Sequence, residues 1–162
     1  MLHTLLNITK QLITLTIVVL SMALLGCKSA ETIGTVTEAE EPLLVYRKSP
    51  CYGPCPAYEA TIYSTGKVLF APFKYTPVTD TITFQLSEKE LKKLQTNLDK
   101  LNYSKLQKLY KTSWTDMPAT HLYFYQSGKE VKHIKHQEGG PEELIRFIDE
   151  VHALLWKHVQ GK

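Results

Sequence analysis

The sequence predicts an α+β fold: a single antiparallel sheet with two main helices packed on one face, in the order ββββ-α-ββ-α. Two observations carry this. Residues 43–86 hold short apolar and aromatic runs with a period of two, separated by Gly and Pro, as half-buried strands do. Two later stretches, beginning near Ser87 and Pro141, switch to apolar spacings of three and four behind helix-start signals. A run of strands followed by helices belongs to a sheet covered on one face.

Each element has its own justification. "LLVYRKS" (43–49) is short and rich in apolar and aromatic residues. "AYEATIYS" (57–64) alternates, with Tyr58, Ala60 and Ile62 on one face and Glu59 and Thr61 on the other. Thr65-Gly66 turns the chain into "KVLFAPFKY" (67–75), where Val68 and Phe70 face the core. "TDTITFQL" (79–86), set off by Pro77, is the fourth strand. Ser87 and Glu90 then make S-x-x-E, a capping box in which each side chain satisfies the other residue's free backbone amide. Leu91, Leu94, Leu98 and Leu101 form the apolar stripe of that helix, and Lys89, Lys92, Lys93 and Lys100 face solvent. "YSKLQKLY" (103–110) adds a short helical piece with Leu106 and Tyr110 turned inward.

"TSWTDMPA" (112–119) reads as a loop, and "THLYFYQ" (120–126), Ser127-Gly128 and "EVKHIKHQ" (130–137) as a hairpin. Beyond "EGGP", Pro141 suits a first helical turn, where its missing amide costs nothing, and Glu142 and Glu143 suit the positive end of the dipole. Leu144, Ile148, Val151 and Leu155 make the buried stripe of a final helix ending near Val159.

The amino terminus sets the expected address. A weakly basic start leads into an apolar run from Leu12 to Leu25, short of the roughly 20 residues that span a bilayer as a helix but suited to a signal peptide. Leu24-Leu25-Gly26-Cys27 resembles the lipobox of bacterial lipoproteins. That resemblance implies removal of residues 1–26 and acylation of Cys27, with an outer-membrane destination because Lys28, not an aspartate, follows the cysteine. Residues 27–41 are a polar, acidic tether reaching ~20 Å, and residues 42–160 are one domain. Loss of a segment with one lysine and no acidic residue takes the formal charge from +3 to +2. A charge so balanced points away from nucleic acid. The expected partners are the membrane, through the acyl chains, and an envelope protein.

With Cys27 acylated, Cys51 and Cys55 of "CYGPCPAY" remain as an even pair in an oxidising compartment. A thioredoxin-like redox site has two residues between its cysteines and a helix start at the first; here three intervene and a strand follows. A thiolate clamp for copper or zinc lacks an evident third ligand, since His133 and His136 point to opposite faces of a strand. The expected state is a structural disulfide, with Gly53 permitting a turn closed to other residues and Pro54 and Pro56 fixing two φ angles. A metal- or redox-handling envelope protein built on the same two cysteines is the alternative.

C-x-G-x-C-P-x-Y (51–58), T-D-x-P (115–118) and G-P-x-x-L (140–144) together resemble a family of bacterial lipoproteins catalogued as domain of unknown function 6438. The resemblance runs from about residue 43 to 155 and implies domain boundaries; it implies no activity.

No serine stands in a nucleophile elbow, and no Gly-rich phosphate loop or metal-protease motif is present, so neither an enzyme nor a cofactor is expected. Asp116 is expected to cap a turn before Pro118. Trp114 is either a lid over the core or a contact residue. The histidines read as surface residues. The expected role is a non-enzymatic binding or assembly module. Its candidate contact surface comprises Tyr52, Gly53 and Pro54 in the disulfide loop, Trp114 and Asp116 in the loop 113–118, and Tyr123 and Tyr125.

Overall fold

The computed structural model describes residues 40–161. The expected signal peptide (1–26), Cys27 and all but the last two residues of the tether lie outside the described residues. Four strands come first: β1 (Pro42–Lys48), β2 (Ala57–Tyr63), β3 (Lys67–Lys74) and β4 (Ile82–Gln85). Helix α1 (Glu88–Leu101) and a 3-10 turn (Tyr103–Lys105) follow, then β5 (Leu109–Tyr110), β6 (Thr120–Gln126), β7 (Lys129–His136) and helix α2 (Glu142–Val159). The class is α+β with two helices and one sheet.

The sheet corrects the all-antiparallel expectation. It is mixed and seven-stranded, in the order β4-β3-β2-β1-β6-β7-β5, and β5 runs parallel to β7. The stretch 103–110 is therefore helical only over its first three residues. Lys135 N–H donates to the Lys108 carbonyl and Gln137 N–H to that of Tyr110, so the edge of β7 captures as a strand what apolar spacing alone assigned to a helix. Gly140, at φ +93, lets this strand lie close, because a Cβ there would stand 2.8 Å from the Tyr110 ring. Leu106 is buried as expected, whereas Tyr110 is half-buried. The fourth strand is also shorter than expected, confined to Ile82–Gln85.

Local signals account for the helix ends. Ser87 Oγ accepts from Glu90 N–H, and the Glu90 carboxylate accepts from Ser87 N–H at 3.0 Å, which completes the capping box. Pro141 stands one residue ahead of α2 as its N-cap, with Glu142 and Glu143 in the first turn. Glu90 also ties the two helices together: Lys157 Nζ lies 2.9 Å and His158 Nε2 3.3 Å from its oxygens. The Lys157 ammonium first, and then the Ser87 amide, hold the Glu90 carboxyl at about 2.

Cross-strand register sets the core. Ile82, Phe70, Ala60, Tyr46, Leu122 and Ile134 stand in one row across six strands, and Val68, Ile62, Leu44 and Phe124 belong to the next. Leu94, Leu98 and Leu101 of α1 and Leu144, Phe147, Ile148, Val151 and Leu155 of α2 pack onto these rows in a single cluster. At roughly 1.5–3 kcal/mol per buried large apolar side chain, this face carries the stability of the fold. The other face of the sheet, with Val45, Arg47, Glu59, Thr61, Tyr123 and His133, is covered by neither helix.

Candidate functional site

Strand β1 has two different ends. At its start, Glu40 pairs with Lys67 at 2.9 Å and Ser64 N–H donates to the Glu41 carbonyl. At its finish, some 20 Å away by strand rise, Ser49 N–H donates to the Ala119 carbonyl at 2.8 Å and Ala119 N–H to Ser49 Oγ at 2.7 Å. Those two bonds join the loop 49–56 to the loop 111–119. The sequence kept the two candidate loops 60 residues apart; the pairing of β1 with β6 makes them neighbours.

Cys51 and Cys55 are disulfide-bonded, with Cα atoms 5.7 Å apart. Gly53 N–H donates to Cys51 Sγ at 3.1 Å inside the ring. The expected role of Gly53 needs correction. Its φ lies outside the left-handed region, and an added Cβ would meet only Cys51 Sγ, at an ordinary 3.8 Å. Pro54 is the physical reason, since a residue before proline is driven to extended backbone that any side chain adopts. The strained position is in the other loop, at Asp116, with φ +63.

Around this bridge the apolar surface is turned outward. Tyr52 is 99% and Trp114 73% exposed, so Trp114 is not a lid over the core. Pro50, Cys51, Tyr52, Asp116 and Met117 line a shallow recess of about 260 Å³. Hydrogen bonds hold the loop backbone while the Trp114 side chain stays outside: buried Thr112 hydrogen-bonds Glu138, its Oγ1 accepts from Trp114 N–H, and Gln137 Nε2 donates to the Met117 carbonyl. Tyr52, Gly53, Pro54, Trp114 and Asp116 thus lie at one end of the sheet, whereas Tyr123 and Tyr125 line the uncovered face together with Val45, Glu59 and Glu130.

Residues 42–155 match a family described as Domain of unknown function (DUF6438). The chain belongs to this family. The match spans both candidate loops and the disulfide, so the end of the sheet they form is part of the family domain. No curated protein matches the chain.

The histidines correct a further expectation, since all five described ones are half-buried and partnered. His152 Nδ1 lies 2.6 Å from the Tyr58 hydroxyl, and His158 stacks on Phe84 with centroids 4.7 Å apart. On the uncovered face His121 Nδ1 and His133 Nε2 lie 3.0 Å apart, and Tyr123 stacks on His133 at 4.2 Å. Burial, then His133, Lys135 and Arg47, push the His121 imidazolium down from its ordinary value. Among the described residues no group of three or more His, Cys, Asp or Glu is placed to hold a metal ion, and no helix is long and apolar enough to cross a membrane.

Proposed function

We propose that this chain is a non-enzymatic envelope lipoprotein, held at the outer membrane by acyl chains on Cys27, whose domain binds a protein partner through its disulfide end. One observation supports the choice of surface: Tyr52 and Met117, from two separate loops, line one recess at Cys51, and Trp114 of the second loop is exposed near that end of the sheet. Exposed large aromatics on anchored loops are the composition of an interface core. The chain enters the domain at Pro42, and the disulfide end lies at the far end of β1 from Pro42. In the bridged state neither sulfur is a thiolate, so the alternative of metal or redox handling requires prior reduction.

The test is photocrosslinking in intact cells from Trp114 and, separately, from Lys92 on the solvent face of α1. A discrete adduct at position 114 that disappears with Tyr52→Ser supports the reading. Equal labelling from both positions, or metal recovered with two free thiols, sinks it.

A further inference from the structure

The uncovered face carries an arrangement that the disulfide end does not explain. Register places Glu59, Arg47, His121 and Lys135 side by side on β2, β1, β6 and β7. Like charges directly opposite one another are destabilising, and here a histidine is held between two cations. Arg47 reaches Glu59 only at 3.9 Å and lies 5.5 Å above the Phe73 ring, and among the described residues no carboxylate pairs with Lys135. The two cations flank β6 at roughly 10 Å, two strand spacings. The Arg47 guanidinium rests toward β2 and β3, near Glu59 and over Phe73; turned across β1 instead, it and the Lys135 ammonium are long enough to meet at an anion seated over His121.

We propose that Arg47, His121 and Lys135 bind the phosphate group of a small soluble phosphate monoester. Two fixed positive charges match the near-dianion that a monoester carries at neutral pH, better than they match a carboxylate. The guanidinium supplies a planar fork and the ammonium a point charge. An anionic bilayer or a nucleic-acid backbone would press further along the face, where Glu59 and Glu130 repel it. The groups facing His121 are Arg47 from β1, Lys135 and His133 from β7 and Tyr123 on its own strand, and neither helix covers this face. Burial first, and then the neighbouring His133, Lys135 and Arg47, disfavour the His121 imidazolium; a bound dianion offsets that repulsion and favours protonation of the ring from solvent, which makes it a third donor.

The experiment titrates the full chain with inorganic phosphate at constant ionic strength and follows the imidazole resonances by NMR. The His121 and His133 signals should move saturably while those of His158 stay fixed. Arg47→Gln and Lys135→Gln, both surface changes, should each weaken binding roughly tenfold, the loss of one charge-assisted hydrogen bond. Lys92→Gln on α1 should leave it unchanged. Sulfate, whose charge is constant across this range, should bind more tightly at pH 5.5 than at pH 7.5. Linear, unsaturated shifts, or Arg47 and Lys135 variants that titrate like the wild type, would overturn the proposal. So would phosphatidylglycerol vesicles that move these resonances when free phosphate does not.

Discussion

Leu122 and Tyr123 are neighbours on β6 with different surroundings. Leu122 is fully buried against the helices, while Tyr123 lies half-exposed on the uncovered face, stacked on His133. The same contrast holds along β1, where Leu44 and Tyr46 are sealed and Val45 and Arg47 are not. One set of strands therefore has two jobs. The covered face is held by many apolar contacts to two helices. The uncovered face is held by pairwise stacks and hydrogen bonds, each small and each available for exchange with a ligand. A sheet that is stabilised from one side leaves the other side free to carry recognition.

The sharpest way to break this comparison is to change adjacent residues. Leu122→Ala should cost about 2–5 kcal/mol in urea unfolding, from lost transfer energy and a cavity that the packed rows cannot close. Tyr123→Ser should stay within about 1 kcal/mol. Equal costs would mean that the uncovered face is buried in solution.

Next in size is the bridge at the end of the sheet. Replacing Cys51 and Cys55 together by serine should lower stability by about 2 kcal/mol, the loop entropy of so small a ring. The melting temperature should drop by roughly 4–8 °C. The Tyr52→Ser change, at a fully exposed position, should leave melting unchanged and weaken only partner capture. If the double serine variant melts like the wild type, the bridge is not a structural element of this domain.

Glu90 offers a smaller test, confined to the helix side. Glu90→Gln keeps an acceptor for the Ser87 amide but removes the charge that pairs with Lys157 and His158, and should cost less than about 1 kcal/mol near neutral pH. Lys157 is largely exposed, so solvent screens that pair. Because the folded carboxyl is held at about 2, below its unfolded value, its stabilisation is present above pH 4.5 and is lost as pH falls toward 2. The variant should flatten the acid limb of stability against pH.

The smallest effect compares the two faces directly. His152, on the sheet-facing side of α2 beside Tyr58, and His121, on the uncovered face, both have depressed imidazolium values, and burial is the first cause in each. Each is harder to protonate in the fold than in the unfolded chain, where it protonates near pH 6.5. Stability should therefore be full above that pH and decline as pH falls through 6.5 toward the folded values. His152→Gln should reduce this decline. His121→Gln should reduce it too, and phosphate should shrink the decline only while His121 is present. Urea midpoints between pH 7.5 and 5 measure all of these.

Much of the covered face was legible because its rules are local. The alternation of Tyr58, Ala60 and Ile62, the S-x-x-E box and the leucine stripe of α1 each depend on a few consecutive residues. The disulfide partners were legible from cysteine accounting. The histidine cluster was not, and a single residue explains why. A plain two-residue turn at Ser127-Gly128 would set Leu122 opposite His133 and so mix the faces. In the structure the register shifts between Phe124 and Tyr125, with Val131 as the extra residue on β7. That bulge brings Leu122 opposite Ile134 and His133 opposite Tyr123, diagonal to His121. A one-residue slip moves every side chain to the other face, and nothing in the local pattern announces it.

Sequence by itself determined the types of the long elements, the buried stripe of each helix and the turn residues, because backbone propensity, capping and hydrophobic period act over distances of a few residues. Only the tertiary structure decided that β1 lies between β2 and β6, which brings the loops carrying Tyr52 and Trp114 to one end and sets His121 between Arg47 and Lys135. It also decided that Leu109–Tyr110 is a strand, by offering the free edge of β7. Those outcomes depend on hydrogen bonds and packing between residues far apart in the chain, whose energies exist only once the sheet has closed around its core.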